Sequence, residues 1–387
     1  MYRRLLLPIY VPSLFSSTSL QALLVLLPLH VLDRGGSAGF AALLIGLRGF
    51  GLLFFDLPVG VLLARLGDKP VLLGGLAAMT ASTALFAFTD NAWLMGAAAF
   101  VSGLGFTAWM IGRQSYISDS SAAGERGRAI STMAGIMRFG GLIGPVAGTV
   151  VAHAFGYRVA FIALAASAGI AGLLVVVFAH NVQPERQSGS VHLSRLREIV
   201  AGNTRVLVTA GIASIGLQLM RSARNLLLPL FGHFLGLSIA AIGVVVSMAA
   251  IVDAALFYPV GLIMDRYGRK WVSVPCLVLS SISLALLPLT QGYYSLVAVA
   301  LLAGLASGLG SGSLLTLGSD LAPANARHEF LGLWRFIGDL GHAGGPMLIG
   351  ALIELASLTA ASAATAGIGL VSAAVMYWLV DETLHKD

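Results

Sequence analysis

Residues 261–270, with the sequence Gly-Leu-Ile-Met-Asp-Arg-Tyr-Gly-Arg-Lys, resemble a stretch at residues 60–69, Gly-Val-Leu-Leu-Ala-Arg-Leu-Gly-Asp-Lys. The two stretches lie 201 positions apart (261 minus 60). The same offset relates Gly103 to Gly304, Asp119 to Asp320, and Gly144-Pro145 to Gly345-Pro346. Because the offset is about half of the 387 residues, the sequence indicates a duplicated chain whose halves fold alike.

The composition is that of a protein that lies mostly within a lipid bilayer. Hydrophobic residues make up 57% of the chain and charged residues only 10%, with a mean hydropathy of +0.90. A soluble domain carries roughly 25% charged residues and could not keep so much apolar surface out of water. The net charge of +6 comes from short loops between apolar runs, which argues against nucleic-acid binding.

Apolar runs separated by turn residues predict an all-helical membrane protein with twelve spans. The predicted spans are 8–32, 38–64, 70–89, 92–117, 128–153, 158–179, 205–232, 238–264, 271–290, 293–318, 328–353 and 357–380. The longest polar stretch between spans predicts a linker at 181–204, between a six-helix bundle at 1–180 and a second at 205–387.

Lysine and arginine are distributed unequally between the two sides of the predicted membrane. Fifteen of the 23 basic residues lie on the side of the N-terminus, six lie inside spans, and only Arg34 and Arg158 lie on the other side. Because basic loops stay inside, both termini are expected in the cytoplasm, with the chain in a bacterial-type inner membrane.

The sequence contains no pattern for a metal, a nucleotide or another cofactor. No His, Cys or carboxylate spacing predicts a metal site, and no glycine-rich phosphate loop is present. The single cysteine, Cys276, cannot form an intrachain disulfide. These observations favour a transporter over an enzyme.

The repeated stretch and the twelve spans together resemble the major facilitator superfamily, whose members carry such a motif between the second and third helices of each half. The resemblance implies secondary transport by alternating access. It also implies a gating role for the motif residues, which are Gly60, Arg65, Gly67, Gly261, Asp265, Arg266, Gly268 and Arg269. Ala64 replaces the motif aspartate in the first half, so an aspartate latch to Arg126 or Arg128 is expected only for Asp265.

Predicted helices 5 and 11 carry glycines one turn apart beside a proline, which permits close helix packing and a bend. The packing residues are Gly140, Gly144, Pro145, Gly148, Gly341, Gly345 and Pro346. The helix 5 element is similar to one found in antiporters of the superfamily. Against a standard drug exporter, helix 4 has Ala99 to Gly103 where such proteins carry an arginine and a glutamine.

Charged residues inside the predicted spans need partners or water, because each costs about 3 kcal/mol in the membrane. In the superfamily, helix 2 adjoins helix 11 and helix 5 adjoins helix 8. Equal depth in those helices predicts three coupling ion pairs, namely Arg48 with Asp339, Asp56 with Arg335, and Arg138 with Asp253. The alternative is that some of these charges face a water-filled cavity or pair within one half.

The remaining arginines then lack an acid, which favours an anionic ligand. The predicted substrate-binding residues are Arg113, Arg221, Arg224, Gln21 and Trp109. The sequence thus favours a transporter of a small organic anion or anionic amphiphile, coupled to protons through Asp253 or Asp339. A proton-coupled exporter of lipophilic drugs is the alternative, and a non-transporting sensor on the same fold is a third. The expected partners are a small-molecule substrate, the lipid bilayer and protons, with the chain acting as a monomer.

Overall fold

The computed structural model describes residues 2–122, 124–180, 200–323 and 326–384. In these residues, twelve helical segments are long and apolar enough to cross a membrane. They are α1 (Leu6–Asp33), α2 (Ala38–Leu66), α3 (Asp68–Phe86), α4 (Ala92–Ser120), α5 (Arg126–Phe155), α6 (Tyr157–Phe178), α7 (Thr204–Phe234), α8 (Ile239–Tyr267), α9 (Lys270–Leu289), α10 (Tyr293–Leu321), α11 (Arg327–Leu355) and α12 (Leu358–Trp378). The predicted all-helical fold with twelve spans is confirmed. Most of the predicted linker, 181–199, lies outside the described residues.

One predicted span is not a continuous helix. Within α10, helix runs over Tyr293–Leu309 and again over Ser313–Leu321, with Gly310, Ser311 and Gly312 between the two pieces. Gly312 has φ +81°, a left-handed conformation that glycine adopts without steric cost. The break therefore leaves backbone polar groups inside a membrane span that need partners.

The chain divides into two compact units. The first contains Met1–Gln187 with Ser238–Ser247, and the second contains Ser188–Leu237 with Met248–Asp387. The predicted boundary assigned all of α8 to the second half, whereas its first residues belong to the first unit. The Ser247 hydroxyl donates a hydrogen bond of 2.8 Å to the Leu142 carbonyl on α5, which explains the difference.

The duplication inferred from the sequence reappears in the packing within each unit. In the first, α4 crosses α2 so closely that a methyl group on Gly103 would collide with the backbone carbonyl of Arg48. In the second, a methyl group on Gly304 would meet the carbonyl of Ala249 in the same way. Gly103 and Gly304 are related by the offset of the sequence repeat. The same helix crossing therefore occurs in each half.

The glycines of helices 5 and 11 also lie at close crossings. A methyl group on Gly144 would meet the Thr18 backbone of α1, and one on Gly345 would meet Leu219 and Ser222 of α7. The related glycines pack likewise: Gly140 and Gly148 against α1, and Gly341 against α7. Pro145 and Pro346 lie inside the same two helices. Missing side chains thus let helix backbones touch, as in other membrane bundles.

The repeated motif ends one helix and begins the next in each unit. Gly67 and Gly268 stand at these junctions with φ of +79° and +109°, which terminates α2 and α8. Lys69 then donates to the Val176 carbonyl at 2.8 Å, and Lys270 to the Tyr377 carbonyl at 2.9 Å. These acceptors lie near the ends of α6 and α12, so the lysine ties each loop to the last helix of its unit.

Glu382, after the end of α12, caps the start of α9. Its carboxylate accepts hydrogen bonds from the backbone N–H groups of Arg269 at 2.9 Å and Lys270 at 3.0 Å. Burial by itself would raise the pKa of Glu382, but the backbone donors outweigh burial and hold the pKa below its ordinary value. An acid at a helix N-terminus is stabilised by the unsatisfied N–H groups there.

The cap makes stability depend on acidification. A carboxyl group whose pKa is lower in the folded state contributes stability above its unfolded pKa of about 4.3, and loses it as the pH falls through the lower folded value. We expect Glu382→Gln to lower the thermal midpoint at pH 7 and to reduce its decline below about pH 4. Asp381→Asn, at an exposed neighbouring acid, is the control and should leave both unchanged. Identical acid profiles for Glu382→Gln and the unaltered chain would contradict the cap.

Candidate functional site

Three charged side chains meet in the second unit, inside the membrane spans. Arg221 and Arg224 lie one turn apart on α7, and Asp253 is the middle residue of the 29-residue helix α8. Nη1 of Arg224 lies 3.3 Å from Oδ2 of Asp253, and both side chains are 18% exposed. A charge at this depth is costly without a partner, so the two side chains stabilise each other.

Asp253 also binds Ser307, in the last turn before the break in α10, and Ser311, within the break. The Ser307 hydroxyl donates to Oδ2 at 2.8 Å, and the Ser311 hydroxyl donates to Oδ1 at 3.4 Å. Both carboxylate oxygens therefore have donors, and Oδ2 has two. The three donors come from Arg224, Ser307 and Ser311.

Arg221 binds the backbone at the break in α10. Its Nη2 donates to the Gly310 carbonyl at 2.8 Å, and its Nη1 lies 3.4 Å from Oε1 of Gln218. The same carbonyl also accepts a hydrogen bond from the Ser313 hydroxyl at 2.9 Å. Side chains from α7 and α8 thus contact the break and the turn before it: Arg221 binds the Gly310 carbonyl, and Asp253 binds Ser307 and Ser311.

A small cavity of about 10 Å³ adjoins this cluster. Arg221, Arg224, Cys276, Ser280 and Ser307 contribute to its lining. A space of this size is close to the minimum for one water molecule. The cluster is accordingly a packed polar site, and this cavity has no room for an organic substrate.

The structure corrects the prediction that Arg224 lacks a nearby acid, because Asp253 is its partner. The predicted pairing assigned Asp253 to Arg138, a half-buried residue of α5 in the first unit. Arg335 and Asp339 lie 3.5 Å apart, four residues apart on α11. The three predicted pairs each join residues of different units and stay predictions.

In the first unit, Arg48 is 2% exposed on α2. Its guanidinium lies over the Phe106 ring at 5.1 Å, and Nε and Nη2 have no hydrogen-bond partner among the described residues. Asp56, eight residues further along α2, is half-buried. A cation over an aromatic ring gains about 2 kcal/mol when desolvated, less than burial of an unpartnered charge costs. The buried position of Arg48 is therefore energetically unfavourable in this conformation, because the ring contact does not offset the cost of burial.

The other predicted substrate-binding residues, Arg113, Trp109 and Gln21, lie in the first unit. Trp109 and Arg113 are 0% and 1% exposed, and they lie in the core of the first unit rather than on a surface open to a ligand. Arg113 covers the Trp109 ring at 5.7 Å and approaches Sδ of Met137 at 2.8 Å. Gln21 is half-buried on α1 beside Gly141 of α5. Direct substrate contact by Trp109, Arg113 and Gln21 stays a prediction.

The predicted gating residues differ in what they contact. A methyl group on Gly60 or Gly261 would meet no atom within 4 Å among the described residues. Arg65 and Asp265 are exposed, and Arg266 is an exposed side chain over the Tyr267 ring. The expected latch of Asp265 joins two units and stays a prediction.

Arg269 has a partner that the sequence analysis missed. Its Nε lies 2.7 Å from Oδ2 of Asp320 on α10, an ion pair without hydrogen-bond alignment. The repeated pair Asp119 and Asp320 was the available signal. In the first unit Asp68 stands at the position equivalent to Arg269, so this ion pair occurs in one unit alone.

Comparison with known proteins identifies the family. The sequence profile described as Major Facilitator Superfamily matches residues 10–220 and again residues 210–387. The chain belongs to this superfamily. Membership makes it a membrane transporter rather than an enzyme. Among the residues that the structure describes, no three His, Cys, Asp or Glu side chains could hold a metal ion.

Relatives within the superfamily include curated bacterial proteins. The multidrug resistance protein MdtH of Yersinia pestis (strain Pestoides F) is 26% identical over 374 residues, which cover 92% of this chain and 90% of the relative. The protein of the same name from Yersinia pseudotuberculosis serotype O:1b (strain IP 31758) matches equally.

Solved structures show the same fold. The nucleoside transporter NupG matches with a TM-score of 0.80 at 16% identity, covering 98% of this chain and 100% of the other. A D-xylose-proton symporter matches with a TM-score of 0.77 at 17% identity, covering 98% and 97%. At this identity the likeness concerns the fold alone.

Proposed function

We propose that this chain is a proton-coupled secondary transporter that exports lipophilic compounds across the inner membrane by alternating access. The observation that carries the proposal is the pair of Arg224 and Asp253 at the middle of a membrane span. The curated relatives named as multidrug resistance proteins support export and the class of substrate.

Protonation of Asp253 is the coupling step in this proposal. A proton on the carboxyl group removes its negative charge, so Arg224 loses its ion-pair partner and the serine hydroxyls lose a strong acceptor. Ser307 lies just before the break in α10 and Ser311 lies within it, so their release frees this segment to move. A two-state transporter responds to such a change according to the difference in proton affinity between the states.

An organic anion is the second candidate substrate. The cluster carries two guanidinium groups and one carboxylate, and Arg221 is satisfied by a carbonyl and an amide rather than by an acid. The net positive charge favours a ligand with a carboxylate or phosphate. Once Asp253 is protonated, both arginines are available to such a ligand.

Transport by everted membrane vesicles separates the two candidates. If the arginines bind substrate, Arg221→Gln and Arg224→Gln should abolish transport of anions and leave transport of neutral and cationic compounds unchanged. If the proposed drug export is correct, Arg224→Gln should abolish proton-coupled transport of neutral and cationic compounds as well. Arg205→Gln, which removes an exposed arginine at the start of α7, is the control. Uptake that survives collapse of the pH gradient would contradict proton coupling.

The orientation is part of the proposal. Both termini are cytoplasmic, and the chain acts as a monomer in the bilayer. We expect reporter fusions after residues 34, 90, 155, 235, 292 and 355 to report an external location, because the adjoining loops hold only two basic residues. Fusions within 185–200 should report an internal location. An external result for that segment would reverse the orientation.

A further inference from the structure

A cavity of about 250 Å³ lies at one end of the first unit, away from the charged cluster described above. Its walls come from the end of α1, the loop between α3 and α4, and the start of α6. The polar lining consists of His30, Arg34, Thr89, Asp90 and Arg158. None of these residues has a part in the proposed transport cycle.

His30 is the buried polar group of this cavity. It is 3% exposed and packs between the rings of Tyr157 at 5.0 Å and Phe161 at 5.2 Å. Neither ring nitrogen has a hydrogen-bond partner among the described residues. Nε2 lies 3.8 Å from Oδ1 of Asp90, which is too long for a hydrogen bond. A buried imidazole without partners costs free energy unless something in the cavity binds it.

Two arginines, Arg34 and Arg158, line the cavity. Arg34 is held by Asp90, with 2.7 Å between Nη1 and Oδ2, so the acid of the cavity is already neutralised. Arg158 lies over the Phe88 ring at 4.9 Å and has no ion pair among the described residues. The Thr89 hydroxyl accepts a hydrogen bond from the Asn91 N–H, which leaves its own proton to donate.

We propose that this cavity binds a phosphate group. Donors from Arg34, Arg158, Thr89 and His30 approach from three separate elements, which suits a tetrahedral oxyanion with acceptors in several directions. Guanidinium forks bind phosphate strongly because two parallel hydrogen bonds carry charge. The only acid in the lining, Asp90, orients Arg34 rather than competing with the ligand.

The surroundings favour the phosphate of a lipid headgroup over a free phosphate ion. Phe88 is 62% exposed and Trp93 is 88% exposed, close to the cavity in sequence and at the ends of the same spans. Aromatic side chains at span ends mark the depth of lipid headgroups in a bilayer. A headgroup phosphate would reach the cavity while its acyl chains remain along the helices.

The test uses the full-length protein, stripped of lipid in a neutral detergent. Short-chain phosphatidylglycerol, short-chain diacylglycerol and inorganic phosphate are titrated separately, with binding followed by native mass spectrometry and thermal shift. Arg158→Gln should weaken binding of the phosphate-bearing probe by about tenfold or more, the typical effect of losing a charge-assisted contact. Arg158 is exposed, so this variant should fold normally, and its thermal midpoint without ligand checks this.

Arg4→Gln is the matched control because it removes an exposed arginine at the opposite end of the same unit. A lipid phosphate site is supported if phosphatidylglycerol binds and diacylglycerol and inorganic phosphate do not. This binding should be lost in Arg158→Gln and kept in Arg4→Gln. The same pattern with inorganic phosphate supports a site for the free ion. Failure of both phosphate probes to bind, or equal weakening in the two variants, overturns the proposal.

Discussion

Arg224→Gln is expected to abolish proton-driven transport and to lower the free energy of unfolding by about 3 kcal/mol, the typical cost of leaving a buried charge without its partner. Asp253, in the middle of α8, would keep the two serine hydroxyls but lose the Arg224 guanidinium. Asp253→Asn should abolish coupling too, because an amide cannot gain or lose the proton. Vesicle transport measures the first effect, and the thermal midpoint in detergent measures the second.

A double-mutant cycle decides which arginine is coupled to Asp253. The variant with both Arg224→Gln and Asp253→Asn should be more stable than the sum of the single effects predicts, by about 1–3 kcal/mol. The same cycle with Arg138→Gln tests the pair predicted from the sequence. Coupling of Asp253 to Arg138 with additivity toward Arg224 would contradict the site described here.

The spans and their repeat were predictable because they depend on local properties. Twenty apolar residues in a row specify a membrane helix whatever surrounds them, and the offset between 60–69 and 261–270 can be read without any packing information. The break in α10 was missed although the sequence Gly308-Leu309-Gly310-Ser311-Gly312 marks it. Glycines in a membrane span indicate close packing as often as they indicate an interruption.

The partner of Asp253 could not be predicted from depth alone. Each residue of a helix adds 1.5 Å of rise, so counting placed Arg138 at the depth of Asp253 and placed Arg224 in the outer half of its span. That Arg224 reaches the carboxylate depends on how α7 packs beside α8 and on the faces that the two helices present. The packing of the whole unit sets the position and the face of each helix. It also brings Ser307 and Ser311 to the carboxylate.

Two further features were missed because they join distant parts of the chain. Glu382 lies in what reads as a polar tail, and only the fold brings it to the start of α9, more than 100 residues earlier. His30 reads as an interfacial residue near the end of a span. Its burial between Tyr157 and Phe161 depends on the packing of α6 against α1.

The last prediction contrasts two kinds of glycine in the repeat. Gly103→Ala should lower the free energy of unfolding by about 2 kcal/mol, because the new methyl group would collide with the Arg48 carbonyl and approach Leu52 N at 2.8 Å. Gly304→Ala should do the same in the second unit, where the Ala249 backbone is the obstacle. In both cases the obstacle is backbone, which cannot rotate away as a side chain can.

Gly60→Ala and Gly261→Ala are the matched controls. Both glycines lie inside helices with no atom near the added methyl group, so the change should be neutral or stabilising by up to about 1 kcal/mol. Thermal midpoints of the four variants in one detergent make the comparison. If Gly60→Ala were as destabilising as Gly103→Ala, the motif glycines would be needed for packing after all. The expected result would instead show that Gly60 and Gly261 do not stabilise this conformation. Their role would then lie in a different conformation of the transport cycle.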